Sequence, residues 1–190
     1  ILESVINSVD IPVTLKIRTG WCPATKNGVE VAKIAEDCGV SLLTVHGRTR
    51  ECRFKGKVEY ETIAKIKQSV RIPIIANGDI NSPETAKRVL EYTKADGLMI
   101  GRSAIGRPWI FDQVHQYLVS GKKKPDPDLP RKLKIMESHL KEIQTFYGEI
   151  KGVWYARKHI ARYVESLQNS KEFLRSFNKE TEAPAQIDLI

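Results

Sequence analysis

Four short apolar segments alternate with four helical patterns, and this alternation constrains the fold more than any other feature of the chain. Residues 13–18 (VTLKIR) alternate apolar and polar positions and favour β-branched side chains, which predicts a strand. Residues 27–39 (NGVEVAKIAEDCG) place Val31, Ile34, Ala35 and Cys38 on one stripe and stop at Gly39, which predicts a helix. The pair then recurs. Residues 41–47 (SLLTVHG) form a second strand, and 58–70 (VEYETIAKIKQSV) put Ile63, Ile66 and Val70 on one helical face. Residues 72–79 (IPIIANGD) are apolar almost throughout, as in a parallel strand covered on both faces. Ser82 as N-cap and Pro83 at the first helical position open the next helix. Residues 96–101 (DGLMIG) make a fourth strand, and a helix follows from about Pro108.

A βα unit repeated four times implies parallel strands with right-handed crossovers. Two architectures satisfy this: a doubly wound sheet, or half of a (β/α)₈ barrel. The first strand is not followed by a Gly-rich dinucleotide fingerprint, which weakens the first. After Gly121 the composition changes. KKKPDPDLP carries three prolines and no apolar period, so residues 122–130 read as a linker. Residues 131–147, 152–168 and 170–178 read as helices with no strands between them. The expected domains are therefore 1–121 (α/β), 122–130 (linker), 131–180 (helical) and 181–190 (tail).

The four strands share one feature. Each ends at its C-terminal side in polar groups: Lys16 and Arg18; His46-Gly47-Arg48; Asn77-Gly78-Asp79; and Gly101-Arg102. That edge is where ligands bind in parallel α/β folds. The alternative is a polar network whose members satisfy one another. Gly78 and Gly101 let backbone N–H groups approach an anion, and the Arg102 guanidinium can grip phosphate oxygens in bidentate fashion. If the barrel reading holds, these are strands 5–8, and the last two loops form a recurrent phosphate site. Lys16 would then project inward as a buried ammonium that needs an electron-rich partner, for which the N1–C2=O edge of a reduced flavin is suited. His46 could donate to the same ring or to its phosphate.

Charge and cysteine usage narrow the class. The net charge is +8, and residues 122–178 contribute +6 of it, with 13 Lys and Arg against 7 Asp and Glu. This points either to a polyanionic partner for the C-terminal part or to a solvated helical surface. Three cysteines (Cys22, Cys38 and Cys52) lack metal-ligand spacing, so no metal is expected, and a reducing cytoplasm is the simplest compartment. No apolar run is long enough to span a membrane. The first residues, ILESVINSVD, lack a basic n-region and read as a helix end, so a piece of a longer protein is expected. In 153–167, Val153, Ala156, Ile160, Val164 and Leu167 form an apolar stripe. Off that stripe Trp154, Lys158 and Arg162 make an i, i+4 row with Arg157 beside it, either to grip phosphate and stack on a base or to cap an interface.

Taken in order, VTLKIRTGW, LLTVHGRTR, IPIIANGDI and LMIGRSAIGRPWIF resemble the bacterial tRNA-dihydrouridine synthase family, its DusB-type branch, from the first strand to the ARKHI of the helical region. The resemblance implies a (β/α)₈ TIM barrel, of which this chain is the C-terminal half (strands 5–8), followed by an all-α domain that holds tRNA. It implies reduction of the C5–C6 bond of uridine to dihydrouridine, with FMN as hydride carrier, NADPH as its reductant and a cysteine as proton donor. Lys16 and His46 would contact the flavin. Asn77, Gly78 and Asp79 form one FMN-binding segment and Gly101 and Arg102 another at the phosphate. Lys158, Arg157 and Arg162 would contact tRNA. The base must be turned out of the folded RNA to reach such a site. Neither Cys22 nor Cys52 matches the acid, which the resemblance places upstream of Ile1, so the chain alone is expected to be inactive and the full-length enzyme to be a monomer. Two other functions stay open: a phosphate-site barrel enzyme of small-molecule metabolism, and a non-catalytic RNA-binding remnant.

Overall fold

The computed structural model describes residues 1–190. Its elements run α1 (Leu2–Ile6), β1 (Thr14–Arg18), α2 (Gly28–Asp37), β2 (Leu42–His46), α3 (Glu61–Ser69), β3 (Ile74–Asn77), α4 (Pro83–Thr93), β4 (Gly97–Met99), α5 (Ile110–Ser120), α6 (Leu129–Val164), α7 (Ser170–Phe177) and α8 (Ala183–Asp188). The chain divides into two compact units: residues 1–102 with 114–123, and residues 103–113 with 124–190.

In the first unit the strands form one parallel sheet in the order β1-β2-β3-β4. The order never reverses, so the sheet lacks the switch point of a doubly wound fold. Leu43, Val45, Ile74 and Ala76 have no solvent exposure, nor do Ala32, Ala35, Ile63, Ile66 and Ala86 from α2, α3 and α4. These helices pack side by side along one face of the sheet. Local signals place their ends. Ser82 Oγ accepts from Thr85 N at 3.1 Å and Pro83 opens α4, as the sequence predicts. Glu59 accepts from the backbone N–H of Thr62 at 3.0 Å and so starts α3 three residues later than the apolar pattern suggests.

In the second unit α6 is a helical hairpin. Gly148, at φ 77°, breaks the helix, and Gly152 packs so closely on the other half that a Cβ there would lie 2.6 Å from Gln144 Cα. Residues eight apart cannot touch along one straight helix, so the halves run back on each other. The reversal falls between the two helices expected at 131–147 and 152–168, although the second ends at Val164. Met136, Leu140, Ile143, Ala156, Ile160, Tyr163, Val164 and Phe177 form the core between them. Val153, Ala156, Ile160 and Val164 of the apolar stripe are buried.

Two segments differ from expectation. Residues 181–190 are not a loose tail: Ala183–Asp188 is helical, and the fully buried Gln186 side chain accepts from Gln144 Nε2 at 3.2 Å and donates to the Val153 carbonyl. A short amphipathic end docks when its polar side chains find buried partners, which composition does not reveal. The linker is also tied down, since Asp126 accepts from Trp109 Nε1 at 3.1 Å and from Gln113 Nε2 at 2.9 Å.

Candidate functional site

Strand register determines which side chains meet. Arg18, His46, Asn77 and Met99 stand in one row across the four strands, and Lys16, Thr44, Ile75 and Gly97 in the row before it. Residues in register on parallel strands project from the same face, here the one opposite the apolar face of β2 and β3. The strand-end polar groups therefore converge on one side of one sheet.

Each is held by its neighbours. The Asn77 amide donates to the Met99 carbonyl at 2.7 Å and ties the ends of β3 and β4 together. Gly78 has φ 127°, and a Cβ there would press on His46 and Val58 at 3.0 Å. Asp79, also at positive φ, accepts two hydrogen bonds from Arg48 at 3.0 and 2.6 Å and a third from Arg102 at 3.0 Å. These guanidiniums, Arg48 foremost, hold its carboxyl below the usual range. Gly101 faces open space, since a Cβ there would meet nothing within 4 Å. Arg102 is exposed, so an anion arriving at Gly101 can compete with Asp79 for it.

The surroundings are strongly cationic. His46 is buried, and its imidazole is pushed down to about 4, first by burial and then by the positive charges of Arg18, Lys16 and Arg48. It is therefore neutral at pH 7 and offers one donor and one acceptor nitrogen. Lys16, expected as an inward-facing ammonium, stands on the polar face of β1, the first strand of the sheet, and is exposed within these residues. Its ammonium still sits below its ordinary value through partial desolvation and the nearby Arg18.

Two residues that shape the site, Tyr60 and Phe54, were not assigned to it from sequence, and Arg48, marked only as a strand-end group, is central to it. Arg48 is only 3% exposed and donates to the Gly56 carbonyl at 2.6 Å as well as to Asp79. Its Nε is buried without a partner. Tyr60 donates from its hydroxyl to the Gly78 carbonyl at 2.7 Å. The Phe54 ring lies 5.5 Å from the Arg18 guanidinium and 5.0 Å from that of Arg102. HGR marked Arg48 as a strand-end group, but sequence cannot say which of several arginines is buried. No local pattern distinguishes Phe54 or Tyr60.

The cysteines stand off the two polar rows. Cys22 precedes the short turn Pro23–Thr25, with its thiol 3.1 Å from the Thr25 hydroxyl; Cys38 caps α2; Cys52 accepts from the Thr49 hydroxyl at 3.0 Å. In the helical unit Lys158 is exposed and Arg162 pairs with Glu165 at 3.1 Å. Arg157 is half-buried and donates to the Glu180 carbonyl at 3.2 Å. No helix is long and apolar enough to cross a membrane.

The model of the family described as dihydrouridine synthase (Dus) matches residues 1–189. Over all 190 residues the chain is 52% identical to tRNA-dihydrouridine synthase B of Proteus vulgaris and 50% identical to that of Shewanella oneidensis. It spans 59% of the length of each. Among solved structures, (S)-3-O-geranylgeranylglyceryl phosphate synthase from Thermoplasma acidophilum aligns over 62% of this chain and 52% of its own, at 19% identity and a TM-score of 0.42, too distant to bear on function.

Proposed function

Because this chain belongs to the dihydrouridine synthase family, we propose that it carries part of the flavin site and the RNA-holding helices of an enzyme that reduces uridine to 5,6-dihydrouridine in tRNA. The observation that carries the reading is the register. It gathers Lys16, His46 and Asn77 on one face, and the hydrogen bond from Arg102 to Asp79 brings the segment after β4 beside them, next to the open backbone at Gly101. In this reading the sheet is strands 5–8 of a (β/α)₈ barrel, and its polar face lines the interior.

The residues present suit FMN. Arg102 and the unobstructed Gly101 backbone would take the phosphate, and Lys16 and His46 the electron-rich edge of the ring. Asn77, Gly78 and Asp79 would line the approach. When bound, the flavin supplies the hydride for C6 of uridine, with NADPH as its reductant. The chain's own groups do the positioning. Lys16 places a positive charge where negative charge accumulates, and neutral His46 donates a hydrogen bond without adding charge. Arg48 fixes Asp79, so Arg102 can leave Asp79 for a phosphate without leaving that carboxylate unpaired. None of the three cysteines lies on the polar rows, and we assign the proton donor to a residue outside 1–190, so that these residues alone form no dihydrouridine. Lys158 would meet the tRNA backbone, with Arg162 beside it; Arg157, anchored on Glu180, would contribute its charge rather than a direct grip.

A chimera tests this. Residues 1–190 are placed in the Proteus vulgaris relative in exchange for the stretch they match, and tRNA lacking dihydrouridine is supplied. Dihydrouridine formation with flavin bound is expected. A folded, flavin-loaded chimera that leaves uridine unreduced refutes the reading.

A further inference from the structure

The closed end of the α6 hairpin carries an aromatic patch of which only Trp154 has been given a role above. Phe146 is 81% exposed and Trp154 60%, and Tyr147, Ile150 and Tyr155 are exposed with them. The break at Gly148 brings Tyr147 back onto the second half of the hairpin, with its ring 4.5 Å from that of Tyr155 and 4.8 Å from Phe146. Ile150, Trp154 and Lys158 follow at helical i, i+4 spacing, so the patch runs into a basic row. Exposing this much ring surface costs solvation free energy, and such clusters mark binding sites.

We propose that this hairpin tip is a stacking platform for unpaired nucleobases of an RNA, with Lys158 and Lys151 on the adjoining phosphates; the proposal rests on the reading of tRNA as the partner. The chemistry favours RNA over an apolar protein face. Four of the five exposed apolar side chains are aromatic, and flat rings match the π faces of bases whatever their sequence. The patch adjoins lysines in a segment whose net charge is +6. Duplex RNA hides its base faces and would gain little from these rings, whereas a loop or an unstacked strand offers them.

The experiment uses the 190-residue chain and two fluorescein-labelled probes, a single-stranded oligouridine and an RNA duplex without overhangs, followed by anisotropy over a salt series. F146A/W154A is expected to bind the single strand roughly tenfold more weakly, with its salt slope unchanged and duplex binding unaffected. Lys158→Ala is expected to weaken both and to reduce the slope by about one. All three positions are exposed, and circular dichroism checks that the variants keep the wild-type fold. Equal binding of the single strand by F146A/W154A and wild type would overturn the proposal. So would the absence of single-strand binding by the wild-type chain, or a wild-type dimer that the aromatic variant abolishes, which would make the tip a self-contact. Single-strand binding lost in F146A/W154A, together with an inactive chimera, would leave the platform standing and remove only the dihydrouridine reading.

Discussion

Replacing Arg48 by Met should destabilise the first unit by about 2–4 kcal/mol. Arg48 is buried, donates twice to Asp79 and once to the Gly56 carbonyl, and so joins the loop after β2 to the end of β3. Removing one partner of a buried ion pair costs roughly 3–5 kcal/mol, but Asp79 is partly exposed and keeps Arg102, which lowers the expected cost to about 2–4 kcal/mol. Loss of the charged hydrogen bond to Gly56 contributes about 1.5–3 kcal/mol of its own, overlapping with the first. Urea unfolding of both proteins measures the difference. Its pH dependence gives a second readout. Asp79 has a folded-state carboxyl below its unfolded value of 3.8, so its contribution is fully present above that value and lost as pH falls through the depressed one. The gap between wild type and variant should therefore narrow in acid. A gap below about 0.5 kcal/mol at neutral pH, the range of an ordinary surface substitution, would refute the argument, as would a gap that does not narrow.

Three further outcomes follow from the same geometry. Gly47→Ala should prevent stable folding of the first unit, because its Cβ would lie 2.2 Å from the Glu59 carbonyl oxygen; a cooperative melt at the wild-type temperature would contradict this. Gly152→Ala should cost more than Gly148→Ala. The first drives a Cβ into the Gln144 backbone, while the second meets open space and pays the strain of an extended positive-φ conformation that is essentially reserved for glycine, about 1–3 kcal/mol, so the ranking of urea midpoints decides. In an NMR titration His46 should change charge near pH 4, far below an ordinary imidazole, and inorganic phosphate should raise that midpoint by neutralising nearby cations; a midpoint near 6.5 would show that burial and charge do not act as described. With its folded-state value depressed, His46 makes stability fall as pH drops from about 6.5 toward 4, where only the unfolded chain gains the proton.

The sequence alone determined the periodic features. Alternation of strand and helix, the Ser82-Pro83 helix start, the buried stripe from Val153 to Val164 and the polar strand ends all depend on neighbours a few residues away, and all appear within a few residues of where the pattern places them. Strand ends could be read as a site because parallel strands carry their C-terminal residues to a common edge. What only the tertiary structure decided concerns partners distant in the chain. Arg48 meets Asp79 31 residues away, Tyr60 meets Gly78 18 away, and Gln186 meets Gln144 42 away. Whether a charge is enclosed follows from what the fold packs around it rather than from its sequence neighbours, which is why Arg48 is held between Asp79 and the Gly56 carbonyl. The same holds for the aromatic tip: Phe146, Tyr147 and Tyr155 are unremarkable in a linear reading, and they become one surface because the chain reverses at Gly148.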